Sequence, residues 1–225
     1  MADYTAPLAS LSITHVFYDP TDPVSLLCAY LALIPQGLVV VYATLVLTTR
    51  EAEIGLTFAG QLACEALNFV LKRLIKEERP RRIHGKGYGM PSSHAQFVFF
   101  WCVYVALFLL VRHKPAKRAW SVAERSLASL AAVGVAAAVA WSRVYLNYHT
   151  TKQVLVGSAA GTVFAVVWFV VVGVVRQIGL LDWALELPIV RAFRVRDLAV
   201  TEDISQAGWD KWEAKRAATK KNKTK

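Results

Sequence analysis

Charge is scarce in this sequence. Charged residues make up 19% of the 225 and hydrophobic residues 56%, against about 25% and 45–50% in an ordinary soluble domain. The deficit is concentrated: the first 49 residues hold no Lys or Arg, and several later segments have almost no charge of either sign. This excludes a soluble globular domain and implies a polytopic membrane protein. Cysteine is nearly absent too. Cys28, Cys64 and Cys102 lie apart in apolar runs, which excludes a disulfide framework and a Cys/His zinc set and leaves buried free thiols. Residues 1–22 contain Asp3, Asp19 and Asp22 but no basic segment, so a cleaved signal peptide is not expected. There is no internal repeat and no run of strand period, so the expected fold is all-α.

Five apolar stretches fill the chain instead. Residues 24–49 carry no charge across 26 positions, enough to cross a ~30 Å hydrocarbon core. Pro35, Gln36 and Gly37 should kink that span. Arg50, Glu51 and Glu53 read as a tight turn. Further spans follow at 54–75, 91–110, 126–141 and 154–175. The fourth is rich in Ala and Gly, and the fifth carries Gly157, Ser158, Gly161 and Gly173, residues that let helices approach closely. The expected architecture is a bundle of about five transmembrane helices. It divides into an N-terminal arm (1–23), a transmembrane domain (24–175) and an interfacial, basic tail (176–225).

The formal net charge is +10. The basic residues cluster between and after the spans, an arrangement that suits topology-setting loops and anionic lipid rather than nucleic acid. Five spans put the arm, the 76–94 segment and the 142–153 segment on one side. The 112–125 loop, with Arg112, Lys114, Lys117, Arg118 and Arg125, falls on the other side with the tail. The excess of Lys and Arg there predicts a cytosolic tail.

Three stretches on the opposite side carry the chemistry. The first runs from Lys72 to Arg79-Pro80, the second is Pro91-Ser92-Ser93-His94, and the third is Ser142-Arg143 followed by His149 and Gln153. Phosphoryl transfer needs the negative oxygens held in place. Lys72, Arg79 and Arg143 supply three cations, and arginine can hold two oxygens at once. Backbone N–H groups near Ser92 and Ser93, at a helix start, favour an anion. Two histidines suit the roles of nucleophile and acid, because imidazole titrates near neutrality. Glu65, Asn68 and Lys72 share one face of the second span, and a carboxylate this deep should face protein or water. His84 reads as a loop residue, and His113 falls on the other side. No metal-ligand spacing is present, and the cations stand where a metal's charge would act; no cofactor is implied.

Together these stretches resemble the three-part signature of the type 2 phosphatidic acid phosphatase superfamily, also called the acid phosphatase/vanadium haloperoxidase fold. The run Tyr88 to His94, with Ser142 to Leu146 and Tyr148 to Thr150, resembles the dolichyldiphosphatase branch. The resemblance covers the first span through the fifth. It implies a PAP2-like catalytic core, with His149 as a nucleophile that becomes a phosphohistidine. His94 would be the acid that later activates water, and Arg143, with Lys72, Arg79, Ser92 and Ser93, would hold phosphate. The superfamily pattern commonly ends in Asp four residues after the nucleophile. Here Gln153 stands there, as in dolichyldiphosphatase-like sequences, and could accept the imidazole N–H. Glu65 is a candidate for the missing carboxylate. The implied substrate is a polyprenyl diphosphate such as dolichyl diphosphate, recycled for N-glycosylation at the lumenal face of the endoplasmic reticulum. The end of the tail resembles a dilysine-type retrieval signal. Two other readings stay open: another lipid phosphatase, acting on phosphatidate or undecaprenyl diphosphate, and a non-catalytic lipid-binding or lipid-flipping membrane protein.

Overall fold

The computed structural model describes residues 9–11, 16–80, 87–115 and 120–223. His84 and the final two residues lie outside them. Five helical segments are long and apolar enough to cross a membrane: Pro23–Thr49, Ala52–Ile75, Ser93–Arg112, Val122–Tyr145 and Thr151–Gln177. Each starts or ends within a few residues of its sequence expectation, and the protein is a multi-pass membrane helix bundle.

The first span is two helices, α1 (Pro23–Leu31) and α2 (Ile34–Thr49). Pro35 causes the break. It has no N–H to offer the Leu31 carbonyl, and its ring crowds the preceding turn. Asp22 caps α1 by accepting from the Val24 N–H at 2.9 Å, satisfying one of the free donors at the helix start. Helix α3 (Ala52–Ile75) returns across the membrane and ends at Lys76 in the left-handed conformation. Helix α4 (Ser93–Leu107) continues into a π-helical turn, Phe108–Arg112.

Helix α4 is the centre of the bundle and packs on α3, α5 (Val122–Tyr145) and α6 (Thr151–Gln177). Small residues set these distances. Ala132, Ala136 and Ala140 of α5 are buried. A Cβ on Gly157 of α6 would lie 2.6 Å from the Ser92 carbonyl, and one on Gly161 would lie 2.2 Å from the Gln96 carbonyl. Both contacts are closer than real Cβ atoms tolerate, so glycine here lets α6 touch the α4 backbone. Gly134 of α5 and Gly173 of α6 meet no such contact. Polar cross-links join α3 to α4: Asn68 Nδ2 donates to Gln96 Oε1 at 2.8 Å, and Gln96 Nε2 donates to the Cys64 carbonyl at 2.9 Å. The three cysteines are free and buried. Leu47, Leu62, Leu127 and Leu155 point outward, as a lipid-facing surface requires.

Two features depart from the sequence expectation. The arm contains a short antiparallel pair, β1 (Ala9–Leu11) with β2 (Val16–Tyr18). Three-residue strands are too short to show a period of two. The segment 50–53 is also more than a turn. Glu51 and Glu53 are each 2% exposed. Glu53 pairs with Arg112 at 2.8 Å and Arg176 at 2.6 Å, and accepts from the Tyr104 hydroxyl at 3.0 Å. Glu51 accepts from the N–H groups of Leu198 and Ala199 and pairs with Arg196. The tail is therefore not wholly surface-lying: residues 195–200 dock into the bundle. On either side of that docked segment lie α7 (Leu180–Glu186), α8 (Pro188–Ala192) and α9 (Ile204–Lys223). Trp183, Ile189, Phe193, Trp209 and Trp212 of this region stay exposed.

Candidate active site

The expected residues gather at one end of the bundle, where α3 and α5 end and α4 and α6 begin. Gly157 decides how closely α4 and α6 meet. With no side chain in the way, the Ser92 N–H donates to the Gln153 carbonyl at 3.1 Å, tying the second motif to the third. The N–H of Ser92 is thereby occupied, contrary to the expectation that it faces a ligand. Its hydroxyl is different: Ser92 Oγ is fully buried with no hydrogen-bond partner. Ser93 opens α4 and is half-buried.

Arg143 comes from the last turn of α5 and is 3% exposed. Its guanidinium lies over the Tyr148 ring at 4.1 Å, yet Nε and Nη1 are buried without an acceptor. A buried cation with unused donors is costly, and an anion would relieve that cost. Lys72, Arg79, Arg143 and His94 all lie within electrostatic reach of one another's neighbourhood, with His149 among them. Burial first, then Arg143, Arg79 and Lys72, push His149 down to about 3. Its imidazole is therefore neutral at physiological pH and holds a lone pair.

The hydrogen bonds assign which nitrogen holds it. His149 Nδ1 lies 3.3 Å from Gln153 Oε1. The amide's other end is committed, with Gln153 Nε2 donating to Glu77 Oε1 at 3.0 Å and to the Glu78 carbonyl at 2.8 Å. The oxygen thus faces His149, Nδ1 carries the proton, and Nε2 is free. Thr150 and Gln153 also form a capping box at the start of α6, the local reason the chain turns into a helix immediately after His149. His94 Nε2 lies 3.2 Å from the Ala32 carbonyl, in the break between α1 and α2. A carbonyl can only accept, so His94 carries its proton on Nε2 and its lone pair on Nδ1. The Gln36 amide, oriented to satisfy its neighbours, donates to the same carbonyl at 2.9 Å.

Glu65 does not reach the imidazole in the way Gln153 does. Its Oε1 is buried without a hydrogen-bond partner, and Lys72 is the charge that faces it. His113 lies at the other end of α4, with Nδ1 2.7 Å from the Ala199 carbonyl. Three contributors were missed in the sequence. Glu77 was hidden as a spacer within a segment read for its bases. The Ala32 carbonyl has no side-chain signature. The arm also reaches the site: the Phe17 N–H donates to the Tyr148 hydroxyl at 2.8 Å, and the Tyr145 hydroxyl donates to Asp22 Oδ2 at 2.7 Å. A cavity of about 380 Å³ lies instead at the tail end, lined by Tyr42, Tyr104, Phe108, Trp120 and Ile204. It contains none of the motif residues. Among the described residues, no three His, Cys, Asp or Glu side chains gather as a metal site.

Residues 53–176 match the family model described as the PAP2 superfamily. A Neurospora crassa protein whose name includes dolichyldiphosphatase is 56% identical over 97% of this chain and 96% of its own length. The dolichyldiphosphatase of Saccharomyces cerevisiae is 36% identical over 82% of this chain and 79% of its own. Dolichyldiphosphatase 1 of Homo sapiens is 41% identical over 71% and 70%. No solved structure matches the chain.

Proposed function

The chain belongs to the PAP2 superfamily, and from that membership and the site's geometry we propose that it hydrolyses dolichyl diphosphate to dolichyl phosphate and inorganic phosphate. One observation carries the reading: the buried Arg143 guanidinium, with two unbonded nitrogens, beside a neutral histidine whose Nε2 is free. An anion that can be attacked completes both.

In this mechanism Arg143, Lys72 and Arg79 hold the oxygens of the terminal phosphoryl group, with Ser92 Oγ as a further donor. His149 Nε2 forms a bond to the terminal phosphorus while the bond from phosphorus to the bridging oxygen breaks. His94 gives a proton to that oxygen, and dolichyl phosphate leaves. Water then attacks the phosphohistidine, His94 takes its proton, the nitrogen–phosphorus bond breaks, and phosphate departs. His94 must hold a second proton, on Nδ1, for the first half; the charge of the bound diphosphate favours that state. Gln153 fixes the His149 tautomer throughout. Glu65, on the same helix face as Lys72, would steady that cation rather than the nucleophile.

The supported placement is the endoplasmic reticulum membrane, with the arm (1–23) and the active end of the catalytic domain (24–175) lumenal and the tail (176–225) cytosolic. The excess of Lys and Arg on the tail side supports the cytosolic tail.

The test is phosphate release from short-chain dolichyl diphosphate and, separately, from phosphatidate, in detergent with a chelator present. Release from the diphosphate that persists in chelator and vanishes in His149→Ala is the expected result. Equal release from phosphatidate would remove the substrate assignment, and release surviving the loss of His149 would remove the nucleophile.

A further inference from the structure

Position 153 needs both ends of an amide. The Gln153 side chain is fully buried. Its oxygen accepts from the Thr150 N–H at 3.3 Å and faces His149 Nδ1, while its nitrogen donates to Glu77 Oε1 and the Glu78 carbonyl. Turning the amide over would set its carbonyl against a carboxylate and a carbonyl, and its NH₂ against the Thr150 N–H. The Glu77 carboxylate is itself held, with Oε2 2.9 Å from Lys152 Nζ. The backbone joins in: the Gly89 N–H donates to the Glu77 carbonyl at 2.7 Å. A Cβ on Gly89 would stand 2.8 Å from Gln153 Oε1, so glycine leaves room for the amide.

We infer that Glu77 is a positioning residue: acting through the Gln153 amide, its carboxylate fixes and polarises the acceptor that holds His149 Nδ1–H. The negative charge that supports the nucleophile stands one residue out, at the protein surface, and reaches the imidazole by a chain of two hydrogen bonds. Such chains strengthen one another. The segment that brings Arg79 to the phosphate thus also brings an anion to the nucleophile. This rests on the hydrolase reading above and adds a residue to it.

The experiment moves the charge. E77Q keeps an oxygen for Gln153 to donate to but removes the charge. Its kcat for dolichyl diphosphate should fall about tenfold, the difference between a charge-assisted and a neutral hydrogen bond, with KM within about twofold. Q153E alone sets two carboxylates together and should fall further. The double variant E77Q/Q153E restores one charge, one donor and one acceptor, so its kcat should rise above that of Q153E. Because the two side chains touch, a fold-support role would also make their losses couple, so the His149 tautomer separates the two roles. Wild-type kcat in E77Q, or a double variant no better than Q153E, overturns the proposal. Nitrogen-15 NMR of His149 in the full chain, with inorganic phosphate as the only ligand, separates this from failure of the hydrolase reading. If the wild type releases no phosphate, that reading fails and the spectrum alone decides. An Nδ1–H tautomer that dominates in wild type and is eroded in E77Q supports the relay; an unchanged tautomer overturns it.

Discussion

Arg143 and Glu53 are buried to the same degree, 3% and 2% exposed, but in opposite circumstances. Glu53 is bracketed by two arginines, whereas Arg143 has an aromatic ring and unused donors. At this scale, the proposed phosphate site is distinguished by a buried guanidinium with two nitrogens left without partners. The titration of His149 follows from the same surroundings. Its ordinary value is 6.5 and its folded value is about 3. Between those values the unfolded chain binds a proton that the folded chain does not. Stability contributed by this group is therefore full above pH 6.5 and lost as the pH falls toward 3. Thermal unfolding in detergent should show wild type losing stability from pH 6.5 to pH 4.5, with a shallower loss in His149→Asn. Equal slopes would mean His149 is not held neutral by burial and its cationic neighbours.

At the scale of helices, glycine contacts decide whether the motifs meet. Gly157→Ala would drive a methyl group into the Ser92 carbonyl, and Gly161→Ala one into the Gln96 carbonyl. Each should cost about 1–3 kcal/mol through overpacking. The consequences should differ. Gly157→Ala strains the Ser92–Gln153 link and should lower turnover beyond its effect on stability, whereas Gly161→Ala, a turn away from the motifs, should lower stability with little change in kcat of the folded fraction. Gly134→Ala meets nothing within 4 Å and serves as the control; thermal unfolding and kcat measured side by side distinguish the three. The spans were legible in the sequence because a long uncharged run has few other uses. Which glycines mattered was not: Gly134 and Gly157 both sit within apolar runs, and only the neighbouring helix distinguishes them.

For the molecule as a whole, the two ends of the bundle are built on opposite plans. The tail end closes on itself through Glu51, Glu53, Arg112, Arg176, Arg196 and Asp197. Glu53→Ala leaves two arginines without their shared carboxylate and should destabilise by about 3–5 kcal/mol, read as earlier unfolding and as protease access to residues 195–200. An unchanged midpoint would mean the tail is only a passenger. None of this closure could be seen in the sequence, because Glu51 and Leu198 are 147 residues apart, Glu51 and Glu53 read as a turn, and Arg112 reads as a topology signal. The three motifs were legible because chemistry restricts which residues can serve, while Glu77 and the Ala32 carbonyl act only through contacts. That carbonyl has a consequence for how the protein can be taken apart. The first hydrophobic segment carries no charge and looks like an interchangeable anchor. Yet its break at Ala32 is what His94 leans on, so a foreign anchor of equal length and greasiness would insert in the membrane and leave His94 without its support.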